Sequence, residues 1–368
     1  MTEISLRVEN LKKTFGKTIA VDDITFEVRR GELFSLLGPS GCGKTTTLRC
    51  IAGLEKPDKG RVIIGGRDVT DLPPQKRNVG LVFQEYAVFP HMTVYENIAF
   101  GLRIKNLPKD EIRRRVLRMA ELLNLEEHLN IRAGKLTLAL MQRVALARSI
   151  VVEPEVLLLD EPLTLVDAKI KETMRRELRR YQKELGITIL HVTHDQLEAM
   201  MISDRIGVMC QGKILQIGTP IEIYDKPNSI FVARFIGSPT MNLIEGRLEQ
   251  WNGKLFLDLD SVRIPLYGIP SEKLEDYIGR DVVLGIRPED IEISTQPMER
   301  SFSGKVSLIE SSGNKLEVIV ELDSVTLNVL SPLRMDLKVG QLVYLKMRSM
   351  KAHIFDKTTE KNIMLKEE

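Results

Sequence analysis

The chain has few cysteines and no long apolar run. Three cysteines, Cys42, Cys50 and Cys210, are spread over 368 residues. An odd number of widely spaced thiols is typical of a reducing compartment rather than of a disulfide framework. Nowhere do about 18 consecutive apolar residues occur, the length that a membrane-spanning helix needs. The sequence therefore predicts a cytoplasmic chain that reaches a membrane only through a partner.

Neither sign of charge dominates the composition. Lys and Arg number 53 and Asp and Glu number 51, which gives a formal net charge of +2 at pH 7. A chain so close to neutrality lacks the global positive field with which many proteins attract nucleic acid or anionic membranes. We therefore expect no nucleic-acid partner.

Two regions of the chain differ in their pattern of apolar residues. A length of 368 residues leads one to expect two domains. From residue 4 to about 235, short apolar runs alternate with longer helical patterns, which is typical of an α/β domain. After Ile236, the stretch GSPTMN reads as a linker, and short alternating segments then predict a smaller β-rich domain. We expect domains at 1–238 and 239–368. The clearest predicted strands are 33–37, 156–159, 188–192, 315–321 and 342–347.

One helix is predicted with unusual clarity at 168–185. Apolar residues recur there at helical spacing, and Gly186 follows as a natural stop. A second helix is predicted at 109–123. The apolar stripe of the first helix consists of Ile170, Met174, Leu178, Tyr181 and Leu185.

The strongest chemical signal is GPSGCGKTT at 38–46. It fits the pattern GxxxxGK[ST] and stands between the strand-like LFSLL and the helix-like TTLRCIAGL. In such a loop, glycines let backbone amides wrap phosphates, Lys44 reaches the β and γ phosphates, and Thr45 holds Mg²⁺. The sequence therefore predicts a site for a nucleoside triphosphate with Mg²⁺. Its residues are Gly38, Ser40, Gly41, Cys42, Gly43, Lys44, Thr45 and Thr46.

Two further strands end in residues suited to phosphate chemistry. In VLLLDEP, Asp160 would help to hold Mg²⁺, and Glu161 would polarise the attacking water. Taken alone, this run could be an ordinary boundary between strand and turn, but behind a phosphate-binding loop it indicates a nucleoside triphosphatase. In HVTHD, His194 comes at the end of a strand, where doubly wound sheets place ligands, although a lone histidine there is more often structural.

The order and spacing of these motifs resemble those of ATP-binding cassette (ABC) transporter ATPases. Gln84 in VFQEYAVFPHMTVYENI, the LLLDEP strand and the histidine of THD are similar to that family's Q-loop, Walker B strand and H-loop. The likeness continues through GKILQIGTPIEIYDKPNSIFVARF and GIRPED, and it is closest to ATPase subunits of maltose-type importers. The resemblance implies an α/β P-loop NTPase domain with a helical subdomain at about 88–155, followed by a C-terminal all-β, OB-like TOBE domain.

The resemblance also implies a role for individual residues. Phe15 stands where an aromatic ring stacks on the adenine of ATP. Gln84 stands where a glutamine touches Mg²⁺ and the water, so that Thr45, Gln84 and Asp160 would be the residues around Mg²⁺. Glu161, His194 and Gln84 would be the catalytic set. Thr137 and Asp167 occupy positions that contact nucleotide across a dimer.

The implied assembly is a transporter that imports a sugar or a related solute. The chain would pair with itself or with a homologous ATPase subunit, and would dock on integral membrane permease subunits at the inner face of the cell membrane. An extracytoplasmic solute-binding protein would be an indirect partner. ATP hydrolysis would energise the uptake.

One departure from the family pattern lies in LTLAL, at 136–140, where the family reads LSGGQ. Thr137 still offers a hydroxyl, but Leu138 and Ala139 carry side chains where backbone amides must approach the γ phosphate of the opposite subunit. Periodicity alone would place Leu136 and Leu140 on a core-facing stripe. The register of the following Gln142 places the stretch in the slot of the signature loop, so we expect it to face the partner's ATP.

A second departure follows the Walker B strand, where the family's D-loop reads SNLD. This chain has Thr164, Leu165, Val166 and Asp167 there, so that only Asp167 keeps the family residue. Both altered segments act across the dimer, whereas the elements that act within one subunit are intact. We therefore expect MgATP binding with slow hydrolysis in a homodimer. The alternatives are an ATP-binding regulatory or scaffold subunit, one half of a heterodimeric ATPase pair, or a variant with an unchanged family role.

Overall fold

The chain forms two compact units, Met1–Pro220 and Ile221–Glu368. The computed structural model describes residues 3–164, 166–259, 262–267, 269, 274–312, 315–323, 325–332 and 335–365. Leu165 of the D-loop lies outside the described residues. The division falls earlier than the domain boundary predicted after residue 238, because Ala233 packs with Met241 and Phe355 of the second unit. The boundary at 238 therefore stays a prediction.

In its described residues, the first unit combines two sheets with six α-helices. None of the helices in the described part of the chain is both long enough and apolar enough to cross a bilayer. The strands are β1 Ile4–Phe15, β2 Thr18–Arg29, β3 Leu33–Leu37, β4 Lys59–Ile64, β5 Arg67–Asp68, β6 Val79–Val82, β7 Val156–Asp160, β8 Ile189–Thr193, β9 Arg205–Cys210 and β10 Lys213–Gly218. The helices are α1 Lys44–Ala52, α2 Val94–Ile104, α3 Lys109–Leu122, α4 Leu138–Ile150, α5 Ala168–Leu185 and α6 Gln196–Ile202.

The strand order of the central sheet determines where the candidate site lies. Its strand order is β10-β9-β3-β8-β7-β6, with β3, β6, β7, β8 and β9 parallel and β10 antiparallel at one edge. Every residue of β3, β7 and β8 is buried, as expected for parallel strands covered on both faces. The carboxyl ends of β3, β7 and β8 therefore meet at one edge, where ligands bind in open α/β sheets. A second, antiparallel sheet has the order β2-β1-β4-β5.

The helices match the predicted patterns closely. The helix α5 has the predicted bounds, and Gly186 ends it in the left-handed conformation with a φ of 62°. Its buried side includes Met174, Leu178 and Tyr181, whereas Ile170, the first residue of the predicted apolar stripe, is exposed. Asp167 caps this helix, which leaves Ile170 in the exposed first turn. Between β6 and β7 the regular elements are α2, α3 and α4, whose buried faces share one hydrophobic core.

From residue 239 onward, the regular elements of the described second unit are strands and short 3₁₀ turns, as the predicted all-β class requires. Two short helices, α7 Pro220–Asp225 and α8 Ile230–Phe235, precede two five-stranded antiparallel sheets. The strand orders are β13-β12-β11-β14-β20 and β15-β19-β16-β17-β18. The strands are β11 Asn242–Trp251, β12 Lys254–Asp258, β13 Arg263–Pro265, β14 Asp281–Ile286, β15 Ile291–Ser294, β16 Phe302–Ser312, β17 Lys315–Leu322, β18 Val325–Pro332, β19 Leu342–Met347 and β20 His353–Asp356.

His353, at the start of β20, is a residue from which we expect acid sensitivity of the second unit. Its Nδ1 lies 3.2 Å from Asn362 Nδ2, and burial, together with the positive charge of Arg287, lowers the pKa of His353 from 6.5 to about 4. The folded state thus disfavours the protonated ring, and stability is lost as the pH falls from 6.5 towards 4. We expect the loss to reach at most about 3 kcal/mol relative to the His353→Gln variant.

Urea unfolding of the full chain between pH 7 and pH 4 measures this loss. The only tryptophan, Trp251, lies in β11, and its fluorescence reports on the second unit. Glutamine does not titrate and can still accept a hydrogen bond from Asn362. If the wild-type chain and the His353→Gln variant lost stability in parallel over this range, the expectation would be wrong.

Candidate functional site

The phosphate-binding loop follows β3 and leads into α1. Gly43 has a φ of 105°, and a Cβ added there would lie 2.1 Å from the carbonyl oxygen of Ala20. A Cβ on Gly38 would lie 2.2 Å from the carbonyl oxygen of Met209. Both positions therefore require glycine. The helix α1 begins directly after Gly43, so the unpaired amides and the positive end of its dipole point to the loop.

Lys44 lies folded back over this loop. It is buried, and its Nζ donates hydrogen bonds of 2.9 Å to the carbonyl oxygens of both Gly38 and Pro39. Its Nζ also lies 3.8 Å from Cys42 Sγ. Burial raises the pKa of the Cys42 thiol, which favours its neutral form. The ammonium group of Lys44 is thus held over the loop. Of the other predicted residues, Ser40 and Gly41 are exposed, and Thr45 and Thr46 are half-buried.

Thr45 and Asp160 bring two oxygen ligands together. Thr45 Oγ1 donates a hydrogen bond of 3.0 Å to Asp160 Oδ1. Asp160 ends the buried strand β7, and its burial raises the pKa of its carboxyl, while the hydroxyl of Thr45 opposes that rise. A hydroxyl and a carboxylate are the hard oxygen donors that Mg²⁺ prefers, and such a site is completed by water and phosphate oxygens. The residues present therefore fit this ion.

Glu161 and His194 meet at the carboxyl ends of neighbouring strands. Glu161 Oε2 lies 2.9 Å from His194 Nδ1 and accepts a 3.2 Å hydrogen bond from Thr164 Oγ1. Glu161 has a φ of 47°, a conformation that is uncommon outside glycine. Its amide is fixed by a 2.9 Å hydrogen bond to the carbonyl oxygen of Val192. This pairing turns the carboxylate towards His194.

Phe15 and Gln84 are both in exposed positions. Phe15 ends β1 in the antiparallel sheet, is 48% exposed, and has the Nζ of Lys13 5.0 Å from its ring centroid. An exposed ring at a strand end is free to stack on a planar ligand. Gln84 is exposed in the loop that follows β6, the strand next to β7.

Comparison with known proteins explains this arrangement. The profile of the ABC transporter family matches residues 21–164, that of the MalK OB fold domain matches 237–291, and that of the TOBE domain matches 284–355. The trehalose/maltose import ATP-binding protein MalK of Thermococcus litoralis is 44% identical over 97% of this chain and 99% of its own length. The chain belongs to the ABC transporter ATP-binding proteins of the MalK type.

Other relatives differ in the solute named. The oligosaccharides import ATP-binding protein MsmX of Bacillus subtilis is 40% identical over 97% of this chain and 99% of its own length. The spermidine/putrescine import ATP-binding protein PotA of Protochlamydia amoebophila is 45% identical over 83% of each chain. A dimeric ATP-binding cassette solved with ADP and Pi is 30% identical, has a TM-score of 0.52, and covers 58% of this chain and 98% of its own.

The segment predicted to be the signature loop, 136–140, contains the start of α4. Thr137 caps α4, and its Oγ1 accepts a 3.5 Å hydrogen bond from the amide of Leu140. Leu138 is 48% exposed, whereas Leu136 is buried and Leu140 packs against the core of the helical region. Leu136 is thus buried ahead of the helix, and Leu140 turns inward on its first turn. That this stretch faces the partner's ATP stays a prediction.

The signature and D-loop segments are joined within one subunit. Ala139 packs on a small apolar cluster that contains Leu163, Val166 and Met174. Gln142 is buried, and its Nε2 donates a 3.0 Å hydrogen bond to the carbonyl oxygen of Pro162. Aliphatic side chains of the signature segment and of the D-loop segment therefore contact each other. Asp167 is exposed and caps α5 by accepting a 3.0 Å hydrogen bond from the amide of Ile170.

A buried polar network supports the H-loop and was missed in the sequence. His191 lies 2.9 Å from Ser35 Oγ through Nδ1 and 2.9 Å from Glu198 Oε1 through Nε2. All three side chains are buried, so no substrate reaches them. The network connects β3, β8 and α6, and so fixes the loop that carries His194. The three-residue spacing of Asp195 and Glu198, typical of a helix cap, was the available signal.

Proposed function

We propose that this MalK-type subunit binds MgATP and drives uptake of a sugar or a related solute through membrane permease subunits. The names of MalK and MsmX support sugars, and the match to the MalK OB fold domain supports the same class. In this proposal, the chain lies in the cytoplasm, on the inner face of the membrane, as one half of an ATPase dimer. An extracytoplasmic binding protein delivers the solute to the permease.

The observation that carries the proposal is the convergence of ionic and polar groups at one sheet edge. Lys44 and the amides at the start of α1 would bind the phosphates of ATP. Thr45 and Asp160, with Gln84, would hold Mg²⁺, which neutralises phosphate charge when bound. Glu161 would orient and deprotonate the attacking water, and its oxygen is already fixed beside His194.

We further propose that hydrolysis is slow when the partner is a second copy of this chain. Leu138 is the one exposed aliphatic side chain among the three that replace the family's glycines and glutamine. A leucine at a helix start keeps backbone amides away from a phosphate of the opposite subunit. The loss of one oriented donor costs about 10²- to 10³-fold in rate.

Two other functions also agree with a chain whose own ATP-binding residues are intact while its signature loop and D-loop are altered. A heterodimeric pair would supply a normal signature loop from the other subunit, so that the ATP bound here is hydrolysed. A regulatory or scaffold subunit would bind ATP and turn over little with any partner. Adding a homologous ATPase subunit with an LSGGQ loop separates them, because only the first pair gains activity.

The first test measures ATP binding and turnover on the purified chain. We expect calorimetric binding of MgATP together with turnover that is slow at saturating ATP. Phe15→Ala should weaken binding by about 5- to 150-fold, since base stacking on an aromatic ring contributes about 1 to 3 kcal/mol. Phe15→Trp keeps the stacking surface and is the matched control. Absence of ATP binding, or fast turnover by the homodimer, would contradict the proposal.

A further inference from the structure

The carboxylate of Glu161 depends on side-chain partners for its orientation. Its backbone has a φ of 47°, and its Oε2 is in contact with both His194 Nδ1 at 2.9 Å and Thr164 Oγ1 at 3.2 Å. A carboxylate that takes a proton from water must be held within hydrogen-bonding reach of that water. Because the ionised carboxylate only accepts hydrogen bonds, Thr164 must be the donor in its contact.

We propose that Thr164 is a positioning residue that holds Glu161 in its orientation for attack by water. This inference rests on the proposed function, in which Glu161 acts as the base. The family pattern places Thr164 among residues that act across the dimer, whereas here its hydroxyl contacts the carboxylate of its own chain. The amide of Thr164 also donates a 3.3 Å hydrogen bond to the carbonyl oxygen of Glu161. The hydroxyl is therefore carried on a closed turn, not on a free loop.

The turn from 161 to 164 is anchored to the helix that begins at the signature loop. The carbonyl oxygen of Pro162 accepts the hydrogen bond from Gln142 of α4. Leu163 is fully buried in the apolar cluster on which Ala139 packs. A displacement of the start of α4 would therefore move the turn that carries Thr164. Through Thr164, the carboxylate of Glu161 is connected to the segment that is predicted to face the other subunit.

Kinetics of two matched variants test the role of the hydroxyl. Thr164→Val keeps the shape and removes the donor, whereas Thr164→Ser keeps the donor. Both are made in a chain whose signature loop is restored to LTGGQ by Leu138→Gly, Ala139→Gly and Leu140→Gln. We expect Thr164→Val to lower kcat about 10- to 100-fold, the size of effect that misplaced catalytic groups produce, with KM for ATP changed less than about twofold. Thr164→Ser should stay within about twofold of its parent in kcat.

Crystal structures of the same variants provide a readout that does not need turnover. The contact between Glu161 Oε2 and His194 Nδ1 should persist in Thr164→Ser and be lost in Thr164→Val. An unchanged kcat and an unchanged contact in Thr164→Val would overturn the inference, as would an equal fall of kcat in both variants. If the parent chain neither binds nor hydrolyses ATP, the proposed function fails, while the contact in the two structures still decides whether Thr164 positions Glu161.

Discussion

Restoring the signature loop, with Leu138→Gly, Ala139→Gly and Leu140→Gln, should raise the ATPase rate of the purified homodimer about 10²- to 10³-fold. Thr137 already caps α4 and offers its hydroxyl at the position of the family's serine. The helix start is therefore present, and only the side chains that follow keep a phosphate from its amides. Phosphate release at saturating ATP measures the gain.

Leu138→Gly alone should give most of this gain. Ala139 and Leu140 are packed against the protein, whereas Leu138 is 48% exposed. Leu117→Gly is the matched control, because Leu117 is 43% exposed on α3 and its removal should leave turnover unchanged. Glycine costs up to about 1 kcal/mol per helical position, so thermal unfolding of each variant must accompany the rates. If the restored loop did not raise the ATPase rate, the signature loop would not be what limits hydrolysis.

Glu161→Gln should lower turnover about 10²- to 10³-fold in the restored-loop background, because a general base contributes on this scale. Glutamine has the size of glutamate but does not take a proton from water. The groups that would bind phosphate, Lys44 and the start of α1, are separate from Glu161. We therefore expect the Kd for MgATP, measured by calorimetry, to change less than about threefold.

The matched control for this variant is Glu184→Gln. Glu184 is an exposed glutamate on α5 whose ion pair with Arg180 is also exposed, so the same change of charge should leave turnover unaltered. Equal turnover of Glu161→Gln and its parent would exclude Glu161 as the base. It would then favour the reading of this chain as a regulatory or scaffold subunit.

Much of the fold was predictable because local patterns were strong. The strand β3 and the helix α5 have the predicted bounds, since a continuous apolar run and a 3.6-residue stripe ended by Gly186 leave little choice. The alternation of strands and helices likewise predicted the α/β class. The end of the first unit at Pro220 was not predictable in this way, because the pattern of 220–235 does not show that Ala233 packs with Met241 and Phe355.

Some residues of the candidate site were predictable from the sequence, and others were not. The spacing of the phosphate loop and the resemblance to ABC proteins predict Lys44, Asp160 and Glu161 as site residues, because a phosphate site needs these residue types in this order. Thr164 was read only as a departure from a family pattern. Its contact with Glu161 depends on a turn and on a left-handed backbone, and neither is encoded in residue spacing.

The segment LTLAL, at 136–140, separates what the sequence determines from what the tertiary structure determines. The sequence by itself determined the class of fold, the order of the nucleotide-binding motifs and the place where the family pattern is broken, because these depend on residue types at fixed spacing. Only the tertiary structure decided that, in the first turn of α4, Leu140 packs against the core while Leu138 remains exposed. The physical reason is that a helical stripe identifies equivalent faces, whereas the elements packed against the helix decide which face is buried.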